Sequence, residues 1–224
     1  LKEQGISVNF GQKTGLNDAF IISSSIRDLL LSQCKSDDEF KRTEALVKPV
    51  LRGRDIKKYY SPLTSSYIIL AYNGFYKVAR EQYPVLYNHL IKYEQELKDR
   101  GQCTDDPNDP QNPFKEFSGQ HHWLELDNNP TLDKLNEYAE KNLIWKRVGS
   151  ILRFSYSPSF VVSLDSTCYA IGNNIKYLCC ILNSKMGHYI LSKTAPRTGT
   201  GDLLISVQAI NPVRVPIPIS VFRN

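Results

Sequence analysis

The sequence is short of the features that usually betray a small enzyme or a secreted module. It has no Cys-x-x-Cys pair, and its five cysteines, Cys34, Cys103, Cys168, Cys179 and Cys180, make an odd number. That excludes a disulfide framework or a zinc ribbon and points to a reducing cytoplasm. Cys179 and Cys180 sit in an apolar stretch and are expected to be core thiols. No run of eighteen apolar residues occurs, so no membrane helix is expected, and no basic-then-apolar leader precedes the rest. With Leu1 where an initiating methionine would stand, the chain is expected to be a piece cut from a longer polypeptide.

Catalytic constellations are missing as well. The Asn/Asp-Pro-Pro-aromatic tetrapeptide that amino-methyltransferases of DNA place beside their base is absent: Asn112-Pro113, Asn129-Pro130 and Asn211-Pro212 each lack the second proline. Gly199-Thr200-Gly201-Asp202 is the nearest approach to a cofactor loop, but it lacks the third glycine and the strand–helix setting. Asp37, Asp38, Glu39 and Lys41 look superficially like a nuclease metal cluster; acids at a helix start are explained by the helix dipole. His121 and His122 are adjacent, so in a strand they face opposite ways and do not share a metal. No Ser-His-Asp or Cys-His set can be assembled.

What is present is ordinary globular composition, 41% hydrophobic and 23% charged over 224 residues, enough for one domain or two closely packed lobes. The net charge of +5 is unevenly spread. Residues 41–58 carry seven Lys/Arg against two acids, residues 141–201 carry eight against Asp165 alone, and the remainder is acidic. Two basic regions on an otherwise acidic chain suit a polyanionic partner.

Local patterns predict short, mixed elements. Ile6–Ile22 reads as strand, turn, strand. Ser25 with Asp28, and Ser36 with Glu39, look like capping boxes that open helices to Leu31 and toward Val47, the latter stopped by Pro49. Tyr67–Tyr72 reads as a buried strand, and Pro84 opens a helix over 84–99. Residues 101–119 are loop-like, and a short helix is expected over 130–141. Strands are expected at Leu143–Val148, Ile151–Tyr156, Phe160–Leu164 and Thr167–Ile171, then helices over 174–183 and on to Ser192. Pro212, Pro216 and Pro218 make 203–219 extended. The expected class is α+β, with an N-terminal lobe over 1–100, a loop or boundary at 101–120, and a C-terminal lobe over 121–224.

Residue types suited to phosphates and base edges recur in this frame: Lys13, Thr14 and Asn17 in a glycine-punctuated turn; Arg52, Arg54, Lys57 and Lys58 in a turn-rich loop; Lys146, Arg147 and Arg153 on strands; Lys185 and Arg197 in the late basic region. Each also has a structural reading. Gly15 and Asn17 could serve the turn, Arg54 could pair with Asp55, and Lys185 could belong to a helix start.

These strings, taken in order, resemble a known family. Gly11-Gln12-Lys13-Thr14-Gly15-Leu16-Asn17-Asp18-Ala19-Phe20 resembles the "G-x-K-T-G-x-N-x-A-F" signature of the TaqI-like C-terminal specificity domain. Leu51–Tyr59 resembles its "RGRDIKRY" segment. Tyr83-Pro84 with Leu90, Leu97 and Arg100 resembles its helix, Trp123 falls near a family tryptophan, and Leu178–Lys185 resembles "LLAILNSK" ahead of a proline-rich end. The acidic loop at 101–119 matches nothing in it.

The resemblance implies a target-recognition domain of a type IIG restriction–modification enzyme or an adenine-specific DNA methyltransferase. It implies double-stranded DNA as partner, a methyltransferase domain in the same parent chain, and no membrane. It implies no catalytic residue and no cofactor in this piece, with S-adenosylmethionine and Mg²⁺ handled upstream. Against it stand a docking domain with little DNA affinity of its own, a stand-alone nuclease, and an RNA-binding domain, which would want a sheet motif of paired aromatics.

Overall fold

In the computed structural model, which describes residues 1–101, 103–104, 121–158 and 160–216, the chain forms two units interleaved along the sequence. Strands, in chain order, are β1 Ile6–Phe10, β2 Ile21–Ser23, β3 Val47–Leu51, β4 Tyr59–Tyr60, β5 Ser66–Ile69, β6 Cys103–Thr104, β7 His121–His122, β8 Asn142–Lys146, β9 Val148–Gly149, β10 Phe154–Ser157, β11 Val162–Ser163, β12 Thr167–Gly172 and β13 Leu203–Leu204. Helices are α1 Asn17–Phe20, α2 Ser24–Ser32, α3 Asp37–Leu46, α4 Phe75–Gln82, α5 Pro84–Leu90, α6 Glu94–Lys98, α7 Leu132–Asn136, α8 Ile175–Asn183, α9 Lys185–Thr194 and α10 Val207–Ile210. The class is α+β, as expected.

The first unit takes Leu1–Gly11, Leu51–Leu63 and the chain from Glu140 on; the second takes Gln12–Val50 and Thr64–Ala139. The sequence suggested sequential lobes parted at 101–120. The contacts instead divide the chain at four places, because β1 and β4 pair with strands far along the chain. Most of the 101–119 loop lies outside the described residues.

The first unit is built on a five-stranded sheet in the order β1-β12-β8-β10-β4. All its pairings are antiparallel except β10 with the edge strand β4. Asn142 to Trp145 of β8 are all buried, so this central strand reads as an unbroken apolar run rather than an alternating one. Leu143, Trp145, Phe154 and Cys168 form a core with Leu178, Cys179 and Leu182 of α8, Leu191 of α9 and Ile210 of α10. The Trp145 indole donates to the Ile205 carbonyl at 2.9 Å, which ties the late chain to the sheet. Gly11, at the end of β1, is a forced choice, since a Cβ there would lie 2.0 Å from the Leu164 carbonyl oxygen.

In the second unit β5 lies between β2 and β3, antiparallel to both, over a core that includes Phe20, Ile68, Phe75, Leu86 and Leu97.

Several local expectations are corrected. α2 is capped by Ser23, whose hydroxyl accepts from the Ile26 amide at 3.3 Å, not by Ser25. The Ser36 cap stands: its hydroxyl accepts from the Glu39 amide at 3.2 Å, and Glu39 accepts from the Lys35 amide. Pro49 does not end α3; it lies within β3, facing Tyr67. The helix over 84–99 is broken by a tight 3₁₀ turn at Ile91–Tyr93. The stretch from 203, expected extended, holds α10; its last part, 217–219, lies outside the described residues. Cys179 is buried but Cys180 is exposed, because adjacent helical residues point about 100° apart.

Candidate nucleic-acid interface

Strand register gathers many of the basic residues of the first unit at one end of its sheet. Trp145 of β8 faces Phe154 of β10 on one side and Cys168 of β12 on the other, and Lys146 faces Thr167. Arg153 immediately precedes Phe154 and so enters β10 at this same end. β4 runs parallel to β10 with Tyr59 beside Ser155, so Lys57 and Lys58 enter at this same end. The 3₁₀ turn Gly53–Asp55 lies against it: a Cβ on Gly53 would sit 3.2 Å from Cγ of Lys146. Arg52 and Arg54 arrive with that turn.

Arg147 leaves β8 there as well. Its amide donates to the Ser166 carbonyl at 3.0 Å, its carbonyl accepts from Ile205 at 2.8 Å, and its guanidinium lies 5.9 Å from the Phe10 ring centroid. β9 then pairs with β13, and Leu203 of β13 bridges to Arg197. Arg197 closes its hairpin by donating to the Gly201 carbonyl at 2.8 Å. The hairpin turn explains the Gly199–Asp202 string without a cofactor: the Thr198 amide donates to the Asp202 carbonyl at 2.8 Å. Lys185 is brought in by Asn183, whose carboxamide bonds both backbone groups of Phe154. The helix cap beside it is Ser184, not Lys185.

Nine of the twelve candidate residues thus belong to the first unit and converge on one sheet end. Asp55, Asp165 and Asp202 are the carboxylates carried by the same turns. The Arg54–Asp55 pair is loose at 3.8 Å and solvent-exposed, too weak to cancel either charge. The excess is cationic, and Arg54, Lys57, Lys58, Lys146, Arg153, Lys185 and Arg197 are exposed.

Two exposed aromatics stand among these cations. Tyr59 and Tyr60 are 51% and 61% exposed. Tyr59 is in the left-handed region with φ 73°, which costs a residue with a bulky side chain about 1–2 kcal/mol. Bonds to the backbone around it hold it there. The Ser155 hydroxyl donates to the Tyr60 carbonyl at 2.5 Å, the Ser61 amide donates to the Tyr156 carbonyl at 2.9 Å, and the Cys179 thiol reaches the Tyr59 carbonyl at 3.8 Å. Burial pushes that thiol up to about 11, which disfavours the reactive thiolate.

Lys13, Thr14 and Asn17 are in the second unit and have local partners there. The Lys13 ammonium pairs with the Asp127 carboxylate. Thr14 is buried, its hydroxyl donates to Oδ1 of Asn17 at 2.8 Å, and its carbonyl accepts from Arg100 at 2.9 Å. Gly15 has φ 74°, and a Cβ on it would lie 2.7 Å from Cδ of Arg100.

Arg100 is the hub of a buried polar network that the sequence did not reveal. Besides Thr14, it donates to the carbonyls of Leu97 at 3.0 Å, Trp123 at 2.7 Å and Glu125 at 2.9 Å. His121 lies 3.0 Å from Asp127, and His122 stacks on Tyr76 at 4.5 Å. Burial pushes Asp127 up, but hydrogen bonds from Lys13 and His121 outweigh it and hold the carboxyl below its usual range. Glu125 is different. Burial pushes it up to about 7, although its carboxylate accepts from the amides of Gly74 at 2.6 Å and His122 at 3.2 Å. The one available signal was the arrangement of Arg100, Glu125 and Asp127 around the histidine pair, and no periodicity marks a buried charge. Among the described residues, no group of three or more His, Cys, Asp and Glu could hold a metal ion, and no helix is long and apolar enough to cross a membrane.

Known proteins resemble this chain in sequence and in fold. The family model described as the TaqI-like C-terminal specificity domain matches residues 48–213. No curated protein sequence matches. Among solved structures, the type IIL restriction-modification enzyme MmeI, determined in complex with DNA, superposes with a TM-score of 0.56 at 12% identity, covering 89% of this chain and 23% of that one. The type IIG restriction endonuclease BpuSI superposes with a TM-score of 0.54 at 15% identity, covering 97% of this chain and 25% of that one. The chain therefore spans about a quarter of either enzyme's length.

Proposed function

The chain belongs to the TaqI-like C-terminal specificity domain family, and from that premise we propose that it recognises a sequence in double-stranded DNA on behalf of a larger restriction–modification enzyme. The observation that carries the reading is the convergence of nine Lys and Arg residues on one end of the first unit's sheet. Such a cationic edge supplies phosphate contacts, which set affinity and orientation, while a few of its arginines and its polar neighbours reach base edges. Lys13, Thr14 and Asn17 act in this reading mainly by seating Arg100, with the exposed Lys13 head a further candidate for a phosphate.

In this proposal the domain does no chemistry. A methyltransferase part of the same parent supplies S-adenosylmethionine and adenine methylation, and any cleavage with Mg²⁺ belongs to a further part. The parent works in the cytoplasm, where its DNA is. A second reading, docking onto a methyltransferase or nuclease part with little DNA affinity, is favoured by the exposed Ile26, Leu29 and Phe40 of α2 and α3.

Selection from a pool of random duplexes separates the two. Recognition enriches one discrete motif. Retention of duplexes with no enrichment means phosphate contact alone, and no retention at low salt favours docking.

A further inference from the structure

Phosphate contacts account for the cations at the basic sheet end but not for the two tyrosines beside them. Tyr59 and Tyr60 are each about half exposed on the edge strand β4, next to Lys57 and Lys58 in sequence and beside β10 where Arg153 enters. Leu63, three residues on, is fully exposed. Tyr59 is also the one residue of this edge held at positive φ, by bonds from β10 and α8 to the backbone around it. An edge strand could present its side chains without that distortion, and glycine or asparagine would take the conformation at lower cost. A strained backbone kept in place by its neighbours, with an aromatic residue half exposed to solvent, is the mark of a side chain whose position matters more than its stability.

Aromatic rings interleaved with Lys and Arg have a known chemical use: the rings stack on bases that have lost a partner, and the cations hold the adjoining phosphates. We infer that this tyrosine pair supplies a ring on which an unpaired base stacks, so that this edge prefers duplex DNA with a disrupted pair over intact duplex. The inference rests on reading the basic end as a DNA surface. It adds that the DNA held there is locally opened, and it names the side chains that meet the exposed base.

The test uses the 224-residue chain and two fluorescein-labelled duplexes of one sequence, one intact and one with a single extrahelical adenine. Fluorescence anisotropy at fixed salt is expected to give about tenfold tighter binding to the bulged duplex, near the lower end of what one stacked base supplies. Tyr59→Ala/Tyr60→Ala should bind the intact duplex as the wild type does, with the same salt dependence, and lose the preference. Tyr59→Phe/Tyr60→Phe should keep it. Equal wild-type affinity for the two duplexes, or a preference that survives the double alanine variant, overturns the inference and leaves the DNA-surface reading intact. Binding to neither duplex overturns both.

Discussion

Asn183 and Phe154 are locked together in both directions: the Asn183 carboxamide accepts the Phe154 amide at 3.1 Å and donates to its carbonyl at 2.7 Å. The same side chain also donates to the Cys179 carbonyl at 2.9 Å. One buried amide thereby fixes the start of β10 to the junction of α8 and α9, and with it the position of Arg153 relative to Lys185. Replacing Asn183 by leucine, close in size but unable to bond, leaves buried backbone groups unpaired at about 1–3 kcal/mol. A loss near the middle of that range lowers the melting temperature by about 4–8 °C in a chain of this size. Circular dichroism melting checks it, and an unchanged midpoint would show that the lock is dispensable.

The exposed cations should behave in the opposite way. Arg54→Ala and Lys146→Ala remove solvent-exposed side chains, so each should change stability by no more than about 0.5 kcal/mol. Each should weaken DNA binding nearly uniformly across sequences and reduce the slope of log affinity against log salt by about 1. Anisotropy titrations at several salt concentrations, beside urea melts of the same variants, separate the two effects.

Arg100 gathers four backbone carbonyls in the second unit. A lysine cannot reproduce that planar fork. Arg100→Lys should therefore destabilise nearly as much as Arg100→Met, by about 3–5 kcal/mol when a buried charge network loses its centre. Urea unfolding measures this, and a lysine variant as stable as the wild type would mean that charge alone, without the fork, holds the network.

Some of this was legible in the sequence. The central strands β8 and β12 are buried on both faces and announce themselves as apolar runs, and Ser36 with Glu39 marks the start of α3 plainly. The 3₁₀ break at Ile91–Tyr93 was not legible, since Leu90, Tyr93 and Leu97 keep helical spacing across it. The basic residues could be counted in the sequence. Their meeting at one sheet end depends on register, and the placing of Arg153 at the Lys146 end cannot be inferred from either segment alone. Arg100, Glu125 and Asp127 escaped because a charged residue is read as exposed unless its partners are known.

Glu125 gives the second unit a pH dependence. Its folded pKa, about 7, lies above the ordinary value of 4.5, so the native state holds a proton that the unfolded chain releases. The sign follows: this contribution is fully present below about pH 4.5, falls as pH rises, and is gone above about pH 7, a change of about 3 kcal/mol at most. His89, whose pKa burial lowers, works the other way, losing stability as pH falls below its unfolded value. A comparison with Glu125→Gln isolates the glutamate. Between pH 5 and 8 the wild type should lose melting temperature relative to the variant, and parallel curves would mean that Glu125 stays ionised throughout.

The central claim, that the basic sheet end is a DNA surface, is tested most directly by reversing its charge. Lys146→Glu/Arg153→Glu alters two exposed side chains at this sheet end while leaving the core untouched. Binding of a labelled duplex should fall by at least tenfold at low salt, with a flatter salt dependence and an unchanged melting temperature. A folded double variant that binds duplex DNA as tightly as the wild type would contradict the account.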